Sequence, residues 1–238
     1  MNDDGFEEIF HQQLISILKS QGHHVLSVTP DKNQSGVSSG ITLNKSISFY
    51  QVNDGQYRVS GTPVDCSIVA VELAYRIWRG ADLFISGINR GLNYGNCIVY
   101  SGTIAAARQA CCMGFNALAI SACGTVHQMS RSLLESIVCI VGKLNQYHSH
   151  DKFFLNVNVN DCGSGIVYEH EYIDVDFNFI DGAVLNFDEK LINIQLNNTP
   201  DVREFRVMLG LLSPKCGLSV IYDNVGFLDD IVSSLNSV

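Results

Sequence analysis

Over the first two thirds of the chain the apolar positions alternate between two periods. From Phe6 to Ser20, Phe10, Leu14, Ile17 and Leu18 recur at helical spacing, and Gly22 follows as a stop. The β-branched run "VLSVTP" comes next and ends at Pro30. A second helix is predicted over Pro63–Trp78, with Thr62 as its N-cap, proline at its first position, and Ile68, Val71, Tyr75 and Trp78 along one face. "DLFISGIN" reads as a buried strand breaking at Gly87, "GTIAAARQACCMG" as a helix stopped by Gly114, and "ALAIS" as a strand. From Ser130 to Leu144 the residues Leu134, Ile137, Val141 and Leu144 trace another helix face, and "FFLNVNV" (Phe153 to Val159) closes the series as a strand.

Strands alternating with helices predict an α/β fold: a Rossmann-like three-layer sandwich with a mainly parallel sheet covered on both faces. Ligands in such folds gather at the carboxyl ends of the strands. Helical periodicity stops after about residue 163, where "LINIQLN" alternates strictly, Ile192, Ile194 and Leu196 against Asn193, Gln195 and Asn197. The expected division is therefore a core over 1–163 and a β-hairpin extension with a tail over 164–238, serving oligomerisation, with "FLDDIVSSL" as a closing helix. The stretch from Ser35 to Ser60 is irregular, a loop plus one hairpin through Asn53-Asp54-Gly55.

Composition narrows the function classes. The chain has 238 residues, 46% of them hydrophobic, enough for a sizeable core. Fifteen Lys and Arg against 24 Asp and Glu give a net charge of −9, which argues against bulk binding to nucleic acid or an anionic membrane. A small phosphorylated ligand needs only a local positive site and stays open. No run is apolar enough to span a bilayer and no export signal is visible, so the expected compartment is the cytoplasm. The eight cysteines lack C-x-x-C spacing and read as reduced, mostly buried thiols. The histidines show no H-x-x-x-H or H-E-x-x-H spacing, so a histidine metal site is not expected.

The loops after the strands hold the candidate chemistry. They are "NDDG", "DKNQSGVSSG", "INRGLNYGN" and "YSGTIAAA", each polar and glycine-containing. Asp3, Asp4, Ser35 and Asn89 offer carboxylate, hydroxyl and amide oxygens, a set that suits Mg²⁺ or Mn²⁺. Ser101, Gly102 and Thr103 sit at a predicted helix N-terminus, where free N–H groups and the helix dipole favour an anion. Neither a Walker loop nor a G-x-G-x-x-G fingerprint is present. Taken singly, Asp3-Asp4 reads as a solvated terminus and Ser101 as an ordinary N-cap; the case rests on four such loops at one sheet edge.

"NDDG", "PDKNQSGVS", "GTPVDC", "SGINRGLNYGN", "YSGTIAAAR" and "FFLNVNV" together resemble, in order, the successive motifs of the SurE (survival protein E) family. The resemblance implies a divalent-metal-dependent nucleotidase that hydrolyses nucleoside monophosphates at the 5′ and also the 3′ position. It puts one Mg²⁺ or Mn²⁺ on Asp3, Asp4, Ser35 and Asn89, with Asp3, Asp4 and Asn89 as catalytic residues. Asn93, Ser101, Gly102 and Thr103 fall near the phosphate, and the chain is expected to form a homodimer or homotetramer. The competing expectation is a catalytically weak nucleotide- or metal-binding oligomer. Family members begin with a short apolar strand before "NDDG", which is absent here, so the true start is expected upstream and Asp3 and Asp4 are expected to hang on a frayed end. "FEEIFHQQL" replaces a Pro-Gly continuation, Gly95-Asn96-Cys97 replaces Gly-Asp-Asp, and "MLGLLSP" departs from the usual tail pattern.

Overall fold

The structure, a computed structural model, describes residues 1–95, 97–122, 131–145 and 152–160 and the strands at 167–170, 180–186, 191–196 and 206–211. The elements in order are α1 (Ile9–Ser20), β1 (Ser27–Pro30), β2 (Phe49–Asn53), β3 (Gln56–Val59), α2 (Pro63–Trp78), β4 (Phe84–Arg90), α3 (Cys97–Tyr100), α4 (Gly102–Cys112), β5 (Ala117–Ala122), α5 (Arg131–Asn145), β6 (Phe154–Asn160), β7 (Val167–His170), β8 (Ile180–Asn186), β9 (Leu191–Leu196) and β10 (Arg206–Leu211). This is the α/β, Rossmann-like arrangement that the periodicity predicts.

The strands form a five-stranded sheet in the order β4-β5-β6-β10-β7 and a three-stranded sheet in the order β1-β3-β2. Pairs β4–β5, β5–β6, β10–β7 and β1–β3 are parallel, whereas β10–β6 and the β2–β3 hairpin are antiparallel. β7 and β10 enter the main sheet from beyond residue 163, where the sequence reading had placed only the extension. β8 and β9 form the antiparallel pair expected from the alternation in "LINIQLN". The expected closing helix "FLDDIVSSL" lies outside the described residues.

Two apolar clusters cover the sheet faces. Phe10, Leu14 and Leu18 of α1 and Leu134, Ile137, Val141 and Leu144 of α5 pack with Ile88, Leu118, Leu155 and Val157. On the other side α2 and α4 pack through Cys66, Ala70, Val71, Ala106, Ala107 and Ala110. The face predicted for α2 is rotated from the observed one: Tyr75 and Trp78 are 49% and 39% exposed, and Ala70 and Ala74 are buried. Small residues bring α2 close to α4, near enough for the Ser67 hydroxyl to donate to the Ala106 carbonyl at 2.9 Å. Large side chains cannot occupy that seam and are displaced to its edge, where Tyr75 meets Phe115 edge-on at 5.3 Å.

The start of the chain is not frayed. Met1, Asn2 and Asp3 are 6%, 0% and 2% exposed. The Met1 ammonium donates to the Ile85 carbonyl at 2.8 Å, and the Gly87 N–H donates to the Met1 carbonyl at 2.7 Å, the hydrogen-bond pattern of a parallel ladder alongside β4. A cavity of about 890 Å³ lies between α1, β1 and β4, lined by residues that include Met1, Leu26, Ser27, Phe84 and Ile85. None of Asp3, Asp4, Ser35 or Asn89 lines it. Among the described residues no helix is long and apolar enough to cross a membrane.

Candidate active site

The polar site is built where Met1–Gly5, the loop after β1 and the end of β4 meet the tip of α4. Asn2 organises the leading turn. Its side-chain oxygen accepts the Asp4 N–H at 2.5 Å, an Asx-turn, and its amide donates to the Ile88 carbonyl at 3.0 Å. Gly5, at φ +106°, then carries the chain away toward α1. The loop after β1 docks on this turn through the Gln34 N–H, which donates to the Asp3 carbonyl at 2.8 Å.

Asp4 gathers the second group of donors. Its Oδ1 accepts from Ser35 Oγ and Asn33 Nδ2, each at 3.1 Å, and its Oδ2 accepts from the Arg90 N–H at 3.4 Å. Of the four residues expected to hold a cation, Ser35 and Asp4 are thus in direct contact, and Asp3 precedes Asp4 in the same turn. Asn89 is next to Arg90, whose N–H touches Asp4, and its own amide nitrogen donates to the Gly91 carbonyl at 2.7 Å, leaving Oδ1 as its remaining oxygen. A bulge between Ser86 and Asn89 in the β4–β5 register brings this end of β4 out toward the turn.

Asp3 points the other way, into the start of α4. The Thr103 hydroxyl donates to its Oδ1 in a very short hydrogen bond, and the Thr103 N–H also serves this carboxylate. The helix tip read from sequence as a phosphate cradle therefore already grips an anion, the carboxylate of Asp3. Ser101 is the N-cap, its oxygen accepting from the Ile104 N–H at 3.1 Å. What remains at the tip for a ligand is the Ser101 hydroxyl hydrogen and the Gly102 N–H, which has no intrahelical acceptor. Asn93 is buried, and its amide donates to Ser121 Oγ at 2.8 Å between the ends of β5 and β6.

Burial pushes the Asp3 carboxyl up to about 6; the Thr103 hydroxyl opposes the shift and the neighbouring Asp4 adds to it. Asp4 is also raised by burial, partly offset by the Arg90 N–H and the Ser35 hydroxyl. The nearby guanidiniums are engaged elsewhere, Arg58 with Glu7 and Arg90 with Glu8 at 2.9 Å, and they cover the rings of Phe6 and Phe10. Glu7 and Glu8, drawn to those arginines, leave α1 to begin at Ile9 with no side-chain cap, three residues later than its periodicity predicts. Among the described residues no cationic side chain is ion-paired to Asp3 or Asp4. Nor does any cluster of three or more His, Cys, Asp or Glu occur there. A buried and a half-buried carboxylate with a hydroxyl and an amide oxygen, and no compensating cation among the described residues, fit a hard divalent ion.

Asn2, Asn33 and the Thr103–Asp3 contact were not read from the sequence. The Asx-turn at Asn2 could have been, since asparagine two residues before a turn amide is a local signal. The Thr103 contact could not, because it joins residues 100 positions apart.

The profile of a family described as "Survival protein SurE" matches residues 1–175. A Marinomonas sp. (strain MWYL1) protein named 5'-nucleotidase SurE is 44% identical over 126 residues, covering 53% of this chain and 50% of the relative. A Pelobacter propionicus protein of the same name is 39% identical over 166 residues, covering 68% and 64%. A Photorhabdus laumondii protein named 5'/3'-nucleotidase SurE is 37% identical over 162 residues, covering 67% and 61%. The chain thus spans about half to two thirds of the length of these curated relatives. The crystal structure of a Sure protein from Aquifex aeolicus superposes with a TM-score of 0.67 at 25% identity, covering 96% of this chain and 98% of that one.

Proposed function

The chain belongs to the survival protein SurE family, and from that premise we propose that it is a nucleotidase, hydrolysing nucleoside 5′-monophosphates, and 3′-monophosphates as well, with one Mg²⁺ or Mn²⁺. The observation that carries this reading is the meeting of Asp4, Ser35 and the end of β4 beside Asp3 at the tip of α4. Asp3, Asp4, Ser35 and Asn89 are the residues that would hold the cation, through oxygen atoms. When bound, it supplies Lewis acidity and neutralises charge on the phosphoryl oxygens.

The rest is the work of the chain itself. Asp4, half-buried among the Ser35, Asn33 and Arg90 donors, accepts the proton of the attacking water. Thr103 holds Asp3 in place, and the Ser101 hydroxyl and Gly102 N–H face the equatorial oxygens, where negative charge spreads in the transition state. Asn89 and Asn93 orient the phosphate end of the substrate. The 5′ activity is supported by the names of the three relatives, and the 3′ activity by the Photorhabdus protein alone. In the same reading the chain is a cytoplasmic homodimer or homotetramer whose extension beyond residue 163 joins protomers; light scattering after size exclusion would measure the assembly.

The decisive experiment is phosphate release from a panel of nucleoside 5′- and 3′-monophosphates with Mg²⁺, Mn²⁺ or chelator, for the unaltered chain and for Asp4→Asn. Release should require the metal and fall at least a hundredfold in the variant. Equal release in chelator, or by Asp4→Asn, would overturn the reading.

A further inference from the structure

Strand β6 carries two buried asparagines that the proposed reaction does not use. Asn156 and Asn158 are 0% and 2% exposed and stand two residues apart, on one face of the strand. The alternating residues Leu155, Val157 and Val159 fill the cluster under α1 and α5, so the asparagines project from the opposite face, the one that carries Phe154 and packs against α4. Asparagine is a poor strand former and costly to bury, and a valine at either position would suit the sheet better. A local rule broken twice on one strand face marks a place where something other than sheet stability is served.

Both side chains are directed at one residue. Asn156 Nδ2 and Asn158 Nδ2 donate to the Asn93 carbonyl at 2.7 and 3.0 Å, and Asn158 Oδ1 accepts the Asn93 N–H at 2.7 Å. Asn158 thus reproduces with its side chain the two hydrogen bonds a neighbouring strand would make. The Asn93 side chain completes the junction by donating to buried Ser121 on β5. Nearer β4, the Gly91 N–H donates to the Ala122 carbonyl at 2.8 Å, and the Gly91 carbonyl accepts from Asn89. Within the segment 91–95, Gly91 is thus tied to the sheet end through its backbone and Asn93 through the side chains of β5 and β6.

We propose that Asn156 and Asn158 are positioning residues that clamp the Asn93 backbone and so set where the loop after β4 presents the phosphate end of the substrate. The proposal rests on the nucleotidase reading. The carboxylate side of the site is held separately, by Thr103, Asn33 and the Asn2 turn, and the clamp does not touch it.

The test is a double-mutant cycle between Asn158→Ala and Asn93→Ala, read as KM and kcat for a nucleoside monophosphate and as Mn²⁺ affinity by electron paramagnetic resonance. Asn158→Ala should raise KM at least tenfold alone and less than threefold in the Asn93→Ala background, because the clamped backbone remains there while the side chain it places is gone. Mn²⁺ affinity should stay within threefold throughout. Should Asn158→Ala not fold, Asn156→Ala, which leaves both Asn158 contacts in place, should raise KM about threefold alone and leave it unchanged in the Asn93→Ala background. An equal KM effect in both backgrounds, or none in either, overturns the clamp while leaving the nucleotidase reading intact. An unaltered chain that releases no phosphate overturns both.

Discussion

Replacing Gly102 by alanine tests the geometry of the site with a single methyl group. A Cβ built there would lie 2.8 Å from Asp3 Oδ2, 2.8 Å from Pro63 Cγ and 3.1 Å from Asp3 Cβ. Carbon atoms at rest stand about 3.5–4.0 Å apart, so the methyl group overlaps Pro63 Cγ by more than half an ångström and crowds the Asp3 side chain as well. The backbone at Gly102 is ordinary helix, and alanine there favours the helix by up to about 1 kcal/mol. Pro63 is locked at the first position of α2, so the Asp3 carboxylate is the group that must swing, away from the Thr103 hydroxyl. Losing a buried hydrogen bond to a charged group costs about 1.5–3 kcal/mol, which against the full helix gain leaves a net destabilisation of about 0.5–2 kcal/mol. The same displacement moves a proposed cation ligand, and phosphate release should fall by about 10- to 100-fold, each factor of ten being ~1.4 kcal/mol. Gly142→Ala in α5 supplies the control, because a Cβ there meets nothing within 4 Å and only the helix gain remains. Urea unfolding and metal-dependent phosphate release would be measured on both variants. If Gly102→Ala raised the unfolding midpoint as Gly142→Ala does and kept full activity, the packing of Asp3 against the α4 tip would be refuted.

Three other changes probe the framework around the site. Gly87→Ala should destabilise by about 3 kcal/mol or more in urea titration, since its Cβ would fall 2.4 Å from the Ile120 carbonyl oxygen at φ +141°, a strained backbone for any other residue; a loss under about 1 kcal/mol would contradict the bulge. Asp65→Ala should cost about 1–2 kcal/mol, because Asp65 completes the capping box with Thr62 and also accepts the Thr42 N–H and hydroxyl at 3.0 and 2.6 Å. Burial pushes the Asp65 carboxyl up, but the Thr42 and Thr62 hydrogen bonds outweigh it and the net shift is downward, so its contribution is present above the ordinary carboxylate range and lost as pH falls through the lowered value. His11 should make the fold acid-sensitive. Burial, helped by the Met1 ammonium, pushes the imidazole down to about 3 against an ordinary 6.5, so the unfolded chain takes up a proton that the folded chain refuses. Stability should therefore fall by up to about 1.4 kcal/mol per pH unit from pH 6.5 toward 3, with the Met1 amine, lowered by burial to about 5, adding to the fall between pH 8 and 5. Urea midpoints at pH 7.5 and 5.0 should converge in His11→Gln relative to the unaltered chain, and an unchanged gap would contradict the assignment.

Legibility from sequence followed the range of the interactions. In α5 the residues Leu134, Ile137, Val141 and Leu144 were read as one face and all are buried, because the helix lies on the sheet with large side chains inward and periodicity alone describes that packing. For α2 the same method picked Tyr75 and Trp78, since it weights size, while the observed seam with α4 selects for smallness. The two helices follow opposite rules, and only knowing the partner tells which applies. The hairpin through Asn53-Asp54-Gly55 was legible because a turn of that kind is specified by adjacent residues.

The site divides along the same line. Asp4 and Ser35 could be grouped from their motifs, and the fold brings them into contact; the direction in which each carboxylate points could not be read. Asp3 and Asp4 are neighbours in sequence, yet one turns into the helix tip and the other toward the loop after β1. Adjacent residues in an extended turn face opposite ways, so a pair of carboxylates read as one ligand set is, in space, a bridge between two sets of donors. That division gives Thr103 a different task from the one its motif suggests. A hydroxyl and an N–H committed to Asp3 cannot also grip a phosphate while the carboxylate stays where it is. The anion-binding power of the α4 tip is thus spent first on holding Asp3 ionisable in a buried place, and in the proposed reaction substrate is left with Ser101 and Gly102. Thr103→Ser, which keeps the hydroxyl, and Thr103→Val, which removes it, would therefore separate through metal affinity before they separate through substrate affinity.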